Sequence, residues 1–251
     1  MGLANHSMDD WFSAIASASE LPGDAGRELC ENGFAVIPGP VVGLKLAQLS
    51  AAYDAAVSGA DPADVAIGSS TTRVNDFVNR GPEFDALYVH PPVLEACCRI
   101  IGQPFKLSTM HARSVHPNSP AQALHVDFQR EGDGWPMVGF IFMVDEFRGD
   151  NGATRFVPGS HAWPVSPEGA NTEPSDRDEK QIAACGRAGS VIVYNGSTRH
   201  GHFANRTAQA RRSIQGAFIR RDAPAAVNQA ARIRQETLGR ISPLARYLLD
   251  I

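Results

Sequence analysis

The strongest constraint on the fold is a change of pattern at Phe105. From there to Ile219 the chain passes through short β-rich segments, Phe105 to Val115, Met137 to Phe147, Ala153 to Val157, Ser190 to Tyr194 and Arg211 to Ile219, separated by Gly, Pro, Asn and Asp. Segments of this length and punctuation predict an antiparallel sandwich or barrel. Upstream the apolar period is helical. Trp11 to Cys30, Val42 to Val57 and Pro91 to Ile101 predict a supporting layer, the last helix stopping at Gly102, and one short apolar strand, Gly33 to Pro38, follows the first. Beyond Ala223 a last helical segment mixes Arg with Leu and Ala and is expected to pack on the outside. No internal repeat divides the chain, so the expectation is one domain over residues 1–251. Its β core spans about 105–222, between an N-terminal helical layer and a C-terminal helix.

Charge narrows the partners. Lys and Arg number 23 against 27 Asp and Glu, for a net charge of −4. With the arginines scattered, no basic face predicts binding to nucleic acid or an anionic membrane. Apolar stretches such as Phe34 to Leu49 are interrupted by Pro38, Gly39, Pro40 and Lys45 and are too short for a bilayer. Met1 to Asp10 lacks the pattern of a secretory signal. A soluble cytoplasmic protein is expected, as monomer or homodimer. Cys30, Cys97, Cys98 and Cys185 have no metal-site spacing and read as buried small hydrophobes. The polar run Ser166 to Lys180, rich in Pro, Glu and Asp, reads as a mobile loop over the mouth of the core.

In His125-Val126-Asp127 two donor side chains fall on one face if the segment is a strand, because the strand period is two. His200 follows the apolar strand Ser190 to Tyr194, where a barrel can bring it beside that pair. Two neutral imidazoles and one carboxylate form the facial triad of non-haem iron(II) oxygenases. Three positions stay open, two for the keto and carboxylate oxygens of a 2-oxo acid and one for dioxygen. Arg211, eleven positions after His200, opens the segment Arg211-Arg212-Ser213-Ile214-Gln215. Its guanidinium suits bidentate pairing with the far carboxylate of 2-oxoglutarate. Adjacent Arg212 takes that role if the register is shifted by one, and Ser213, on the face of Arg211, can add a hydroxyl donor.

Four segments, in order, resemble the phytanoyl-CoA dioxygenase family of iron(II)- and 2-oxoglutarate-dependent oxygenases. They are Glu31 to Gly39, Leu124 to Asp127, Asn151 to His161, and His200 to Asn205 together with Arg211. The resemblance implies a mainly β double-stranded β-helix, or jelly roll, with helical support, and metal binding by His125, Asp127 and His200. It implies Arg211 as the anchor of 2-oxoglutarate and, through Thr72 to Phe77, Arg73 as a second anchor. Gln122 is a further polar contact to the co-substrate. An aromatic residue common in the family's middle strand, near Ile141, is missing. A carboxylate at Asp127 argues for oxygenation over halogenation, since related halogenases have a small residue there.

The expected reaction oxidises a small-molecule metabolite, with iron(II), 2-oxoglutarate and dioxygen consumed to succinate and carbon dioxide. Hydroxylation leads, with ring closure, epimerisation or desaturation open to the same chemistry, and a secondary-metabolism intermediate is the preferred substrate. Two rivals remain, a metal-dependent hydrolase or cupin-type isomerase without 2-oxoglutarate, and a non-catalytic binding protein on the same fold. His161 reads as structural, and His202 as structural or a neighbour of the co-substrate. One of His111, Arg113 and His116 is expected to face substrate, and Phe128 and Trp135 are candidate pocket walls.

Overall fold

The computed structural model describes residues 10–130, 132, 134–164 and 180–251. In chain order the elements are α1 (Asp10–Ala16), α2 (Gly23–Asn32), β1 (Phe34–Pro38), α3 (Leu44–Ser58), β2 (Val65–Ile67), β3 (Thr71–Val74), α4 (Asp85–Tyr88), α5 (Pro91–Ile101) and β4 (Phe105–Val115). There follow β5 (Met137–Met143), β6 (Thr154–Phe156), β7 (Ile182–Ala183), β8 (Ser190–Asn195), β9 (His200–His202), β10 (Arg211–Arg220), α6 (Gln229–Arg232), α7 (Gln235–Arg240) and α8 (Pro243–Leu249).

Seven strands pair in the order β1-β8-β5-β10-β4-β3-β2, antiparallel throughout, and β7-β6-β9 form a second sheet. This is the expected mainly β architecture with helical support. The middle strand β5 explains how the two layers share a core. All seven of its residues are buried. Val138, Phe140 and Phe142 join the large core beneath the helices, while Ile141 and Met143 join a second cluster with Phe34, Phe156 and Tyr194. Alternation along one apolar run thus serves two hydrophobic layers.

Helix ends follow local chemistry. Pro91 and Pro92 start α5, where their missing N–H costs nothing, and α2 and α5 end on Gly33 and Gly102 in the left-handed region, at φ 83° and 69°. Pro22 divides the segment expected as one helix from Trp11 to Cys30. The expected C-terminal helix is three short ones, because Asn228 and Ser242 each cap a new start and Ile233 and Ile241 are extended. Its end does pack against the sheet: Leu248 and Leu249 are buried in the same core as Trp11 and Phe105. The strands β2, β3 and β9 were not expected, being too short and polar to show a period. Of the cysteines only Cys97 is fully buried; Cys30 and Cys185 are exposed, contrary to the reading of all four as core residues. Residues 166–179 of the expected loop lie outside the described residues. Among the described residues no helix is long and apolar enough to cross a membrane.

Candidate metal centre

The centre forms where β8 passes to β9. The turn between them is tied down at three points: the Ser197 amide donates to Asn195 Oδ1 (3.0 Å), Ser197 Oγ to the Phe128 carbonyl (2.9 Å) and Thr198 Oγ1 to the Gly33 carbonyl (3.1 Å). His200 and His125 then exchange both backbone hydrogen bonds, 2.9 Å each way, so their rings lie side by side with centroids 4.5 Å apart. The expectation of a strand over His125-Val126-Asp127 is corrected here, since only His125 makes a bridge. The amides of Asp127 and Phe128 both donate to the Gly196 carbonyl, and that bend brings the carboxylate beside the two imidazoles. Asp127 Oδ1 is 3.7 Å from His125 Nε2, and its Oδ2 is 3.6 Å from His200 Nε2.

Three donors placed this way fit a divalent cation. Nδ1 of His125 is 3.2 Å from the Ala123 carbonyl and Nδ1 of His200 is 2.9 Å from that of Thr198. A carbonyl only accepts, so each ring carries its hydrogen on Nδ1 and turns a bare Nε2 toward Asp127. The donor atoms lie within 4.8 Å of one another, and lone pairs so crowded repel unless a cation joins them. Burial pulls the His200 pKa below the ordinary imidazole range against the opposing pull of Asp127, which favours the neutral ring that a metal ion would need. Among the described residues no other cluster of His, Cys, Asp and Glu has this character.

Sequence reasoning passed over Tyr194. Its hydroxyl donates to Asp127 Oδ2 at 2.7 Å, and its ring stands 4.9 Å from that of His200. Space for it comes from Gly139, across the β5–β8 pair, where a Cβ would fall inside the Tyr194 ring. The only hint in the sequence is a polar tip at the end of an otherwise aliphatic strand.

A pocket of about 260 Å³ opens on these ligands. At its far side lies Arg211, 2% exposed, with its guanidinium 4.0 Å from the Phe147 ring centre. One arm donates to the Gly152 carbonyl at 2.7 Å and another to Ser213 Oγ at 3.2 Å, while Nε has no protein partner. Burial, with Arg113 adding like charge, pushes its pKa down to about 9; the cation is therefore unfavourable where it stands and suited to an incoming anion. Arg212 faces the other way and is paired with Asp145 (2.7 Å) and Asp54 (2.8 Å), so the pocket receives Arg211 and not its neighbour.

The sequence profile of the phytanoyl-CoA dioxygenase family matches residues 29–213. The chain belongs to that family. Among curated relatives, the multifunctional dioxygenase prhA of Penicillium brasilianum is 29% identical over 235 residues, covering 84% of this chain and 75% of that protein. The iron/alpha-ketoglutarate-dependent dioxygenase okaE of Penicillium ochrochloron is 27% identical over 150 residues, 55% of this chain and 48% of that one. The chain spans between 32% and 75% of the length of the curated relatives it matches. A solved structure of HygX from Streptomyces hygroscopicus, with nickel and 2-oxoglutarate bound, has the same fold at a TM-score of 0.65. It is 20% identical, over 82% of this chain and 89% of that chain.

The remaining residues sort by whether they reach this family's pocket. Arg73, Gln122, His202, His111 and Arg113 line it. Ser213 is fully buried, accepts from Arg211 at 3.2 Å and donates to the Arg113 carbonyl at 3.1 Å, so its hydroxyl steadies Arg211. His202 is held by the Phe203 carbonyl and Ser70 Oγ and depressed by burial to about 4. His116 is bonded to Thr72 instead of facing the pocket, and His161 to the Cys30 carbonyl, the structural role expected of it. Phe128 is a pocket wall, whereas Trp135 donates to the His161 carbonyl outside it. Ile141 lines the pocket with an aliphatic side chain.

Proposed function

We propose that the chain oxidises a small-molecule metabolite at an iron(II) centre held by His125, Asp127 and His200, with 2-oxoglutarate anchored on Arg211. Bound there, iron(II) with 2-oxoglutarate and dioxygen supplies the oxidising chemistry and leaves succinate and carbon dioxide as co-products. The protein's own share is orientation and exclusion of water. Asp127, aimed by Tyr194, and two rings with defined hydrogen positions present three ligands to one side. Arg211, clamped by Ser213 and Gly152, awaits a carboxylate across the pocket, and Arg73 and Gln122 are its further contacts to the co-substrate.

Arg211 is the single observation that carries this reading over a hydrolase or isomerase on the same triad. Such chemistry has no use for a buried guanidinium with no carboxylate in contact, whereas a dicarboxylate co-substrate supplies the missing counter-charge. The relatives described as dioxygenases, and a pocket just below the usual range of about 300–1,000 Å³, support a small free metabolite as substrate.

Anaerobic titration tests the proposal directly. Adding iron(II) and then 2-oxoglutarate should produce a visible charge-transfer band, and admitting air should yield succinate. Asp127→Ala should lose both while the fold, read by circular dichroism, is retained. A band of full intensity in that variant removes Asp127 from the centre, and no band in the parent protein ends the assignment.

A further inference from the structure

Three guanidinium groups, Arg73, Arg113 and Arg211, line a pocket whose one carboxylate is Asp127. On the reading above, iron(II) and the 2-oxoglutarate dianion cancel each other, which leaves two positive charges unanswered. Arg211 faces the co-substrate. Arg113 stands on β4 and Arg73 directly opposite it on β3, so their side chains leave the sheet together, with Cβ atoms at about 4.5–5.5 Å in such a pair. Like charges so placed repel unless an anion lies between them. Neither guanidinium makes a hydrogen bond or ion pair with a described residue, in contrast to Arg212, Arg221 and Arg240, each of which holds an aspartate.

Arg113 lines the same pocket as His125, Asp127 and His200. The charged and polar groups around it are Tyr194, Arg73, Asp127 and, from β10, Arg211, and burial lowers its pKa. Beside it on the same strand face is His111, opposite Gln215 of β10, a ring that burial and the two arginines keep neutral, at about 3. A half-buried cation, an exposed cation across the strand pair and a neutral polar ring thus line the same pocket as the three candidate metal ligands.

The geometry points to an anionic primary substrate, a carboxylic acid whose carboxylate is gripped by Arg113 with His111 beside it, while Arg73 keeps its place at the co-substrate, so that the carbon presented to the metal lies near the substrate carboxylate. This rests on the function proposed above and assigns the substrate class.

The test uses the iron-loaded, 2-oxoglutarate-saturated protein under nitrogen, with phenylacetate, cinnamate and benzoate as probes, each against its methyl ester. Paramagnetic broadening of the probe's proton signals reports approach to the iron. The acids should bind at least about tenfold tighter than their esters, a preference lost in Arg113→Gln and kept in Arg113→Lys. The charge-transfer titration should meanwhile give the Arg113→Gln protein a 2-oxoglutarate affinity within about threefold of the parent. Broadening that is absent, or equal for acid and ester, overturns the inference. So does a loss of 2-oxoglutarate affinity beyond about tenfold in Arg113→Gln, which would make Arg113 a co-substrate anchor. If the parent protein forms no band with iron and 2-oxoglutarate, the failure belongs to the proposed function, and the substrate assignment falls with it.

Discussion

At the scale of single residues the centre depends on groups that touch no metal. Tyr194 donates to the carboxylate of Asp127, and the carbonyls of Ala123 and Thr198 set the hydrogen position of each imidazole. Partners of this kind typically change metal affinity by about 10–100-fold when removed. Tyr194→Phe keeps the ring that packs on Phe156 and His200 and deletes only the donor. We expect a fall of at least about tenfold in iron(II) affinity by titration, with the thermal midpoint of the metal-free protein little changed. Equal affinities would show that Asp127 is aimed by its backbone alone. Legibility at this scale was uneven. His125, Asp127, His200 and Arg211 stand out by residue type and spacing, and the structure brings them around one pocket. Tyr194 does not, because a tyrosine ending a buried strand looks the same whether its hydroxyl meets water or a ligand's carboxylate.

At the scale of elements the site hangs on β8, β9 and β10, and glycines of β5 and β10 make room for aromatic rings of the neighbouring strands. Gly139 and Gly216 sit where a side chain would collide with Tyr194 and Phe140, so each is a missing side chain that admits an aromatic one from the neighbouring strand. Gly139→Ala should push Tyr194 off Asp127. An overpacked core costs about 1–3 kcal/mol, which lowers the thermal midpoint by several degrees, and iron affinity should fall in step with the Tyr194→Phe protein. An Ala variant with unchanged midpoint and unchanged affinity would mean that Tyr194 has a second place to go. The strong elements, β4, β5, β8 and β10, were legible because long apolar runs have a period to read. The two or three residues of β7 and β9, and the single bridge at His125, have none; they exist because the opposing chain is already there.

At the scale of the whole molecule, burial of histidine sets the response to pH. His90, His111, His161, His200 and His202 are all pulled below the ordinary imidazole value of 6.5, with burial the leading cause, down to about 4 for His202 and about 3 for His111. A folded-state value below the unfolded one means that the unfolded chain takes up the proton first. The stability these rings allow is therefore complete above pH 6.5 and is lost as the pH falls through the window toward 4. We expect the metal-free protein to lose thermal stability steadily as pH falls from about 7 to 5, measured by differential scanning calorimetry. Iron(II), which binds only the folded form, should raise the midpoint, and chelation should reverse that rise. A midpoint flat across this range would mean that the rings are protonated in the folded state.

What the sequence by itself determined is the class of fold, the helical layer, the family and the residues able to hold a metal and a dicarboxylate, because each of these is written in local period or in residue type at a spacing. The tertiary structure alone decided which of two adjacent arginines turns inward, that Asp127 reaches the centre through a bend held by the Gly196 carbonyl, that Tyr194 backs it, and that Arg73 and Arg113 stand side by side in one pocket. Those facts arise from pairing between segments distant along the chain, Tyr194 with Gly139 and Arg73 with Arg113, and from the direction a side chain takes out of a sheet. No local pattern encodes either, since register is chosen by packing of both strands at once.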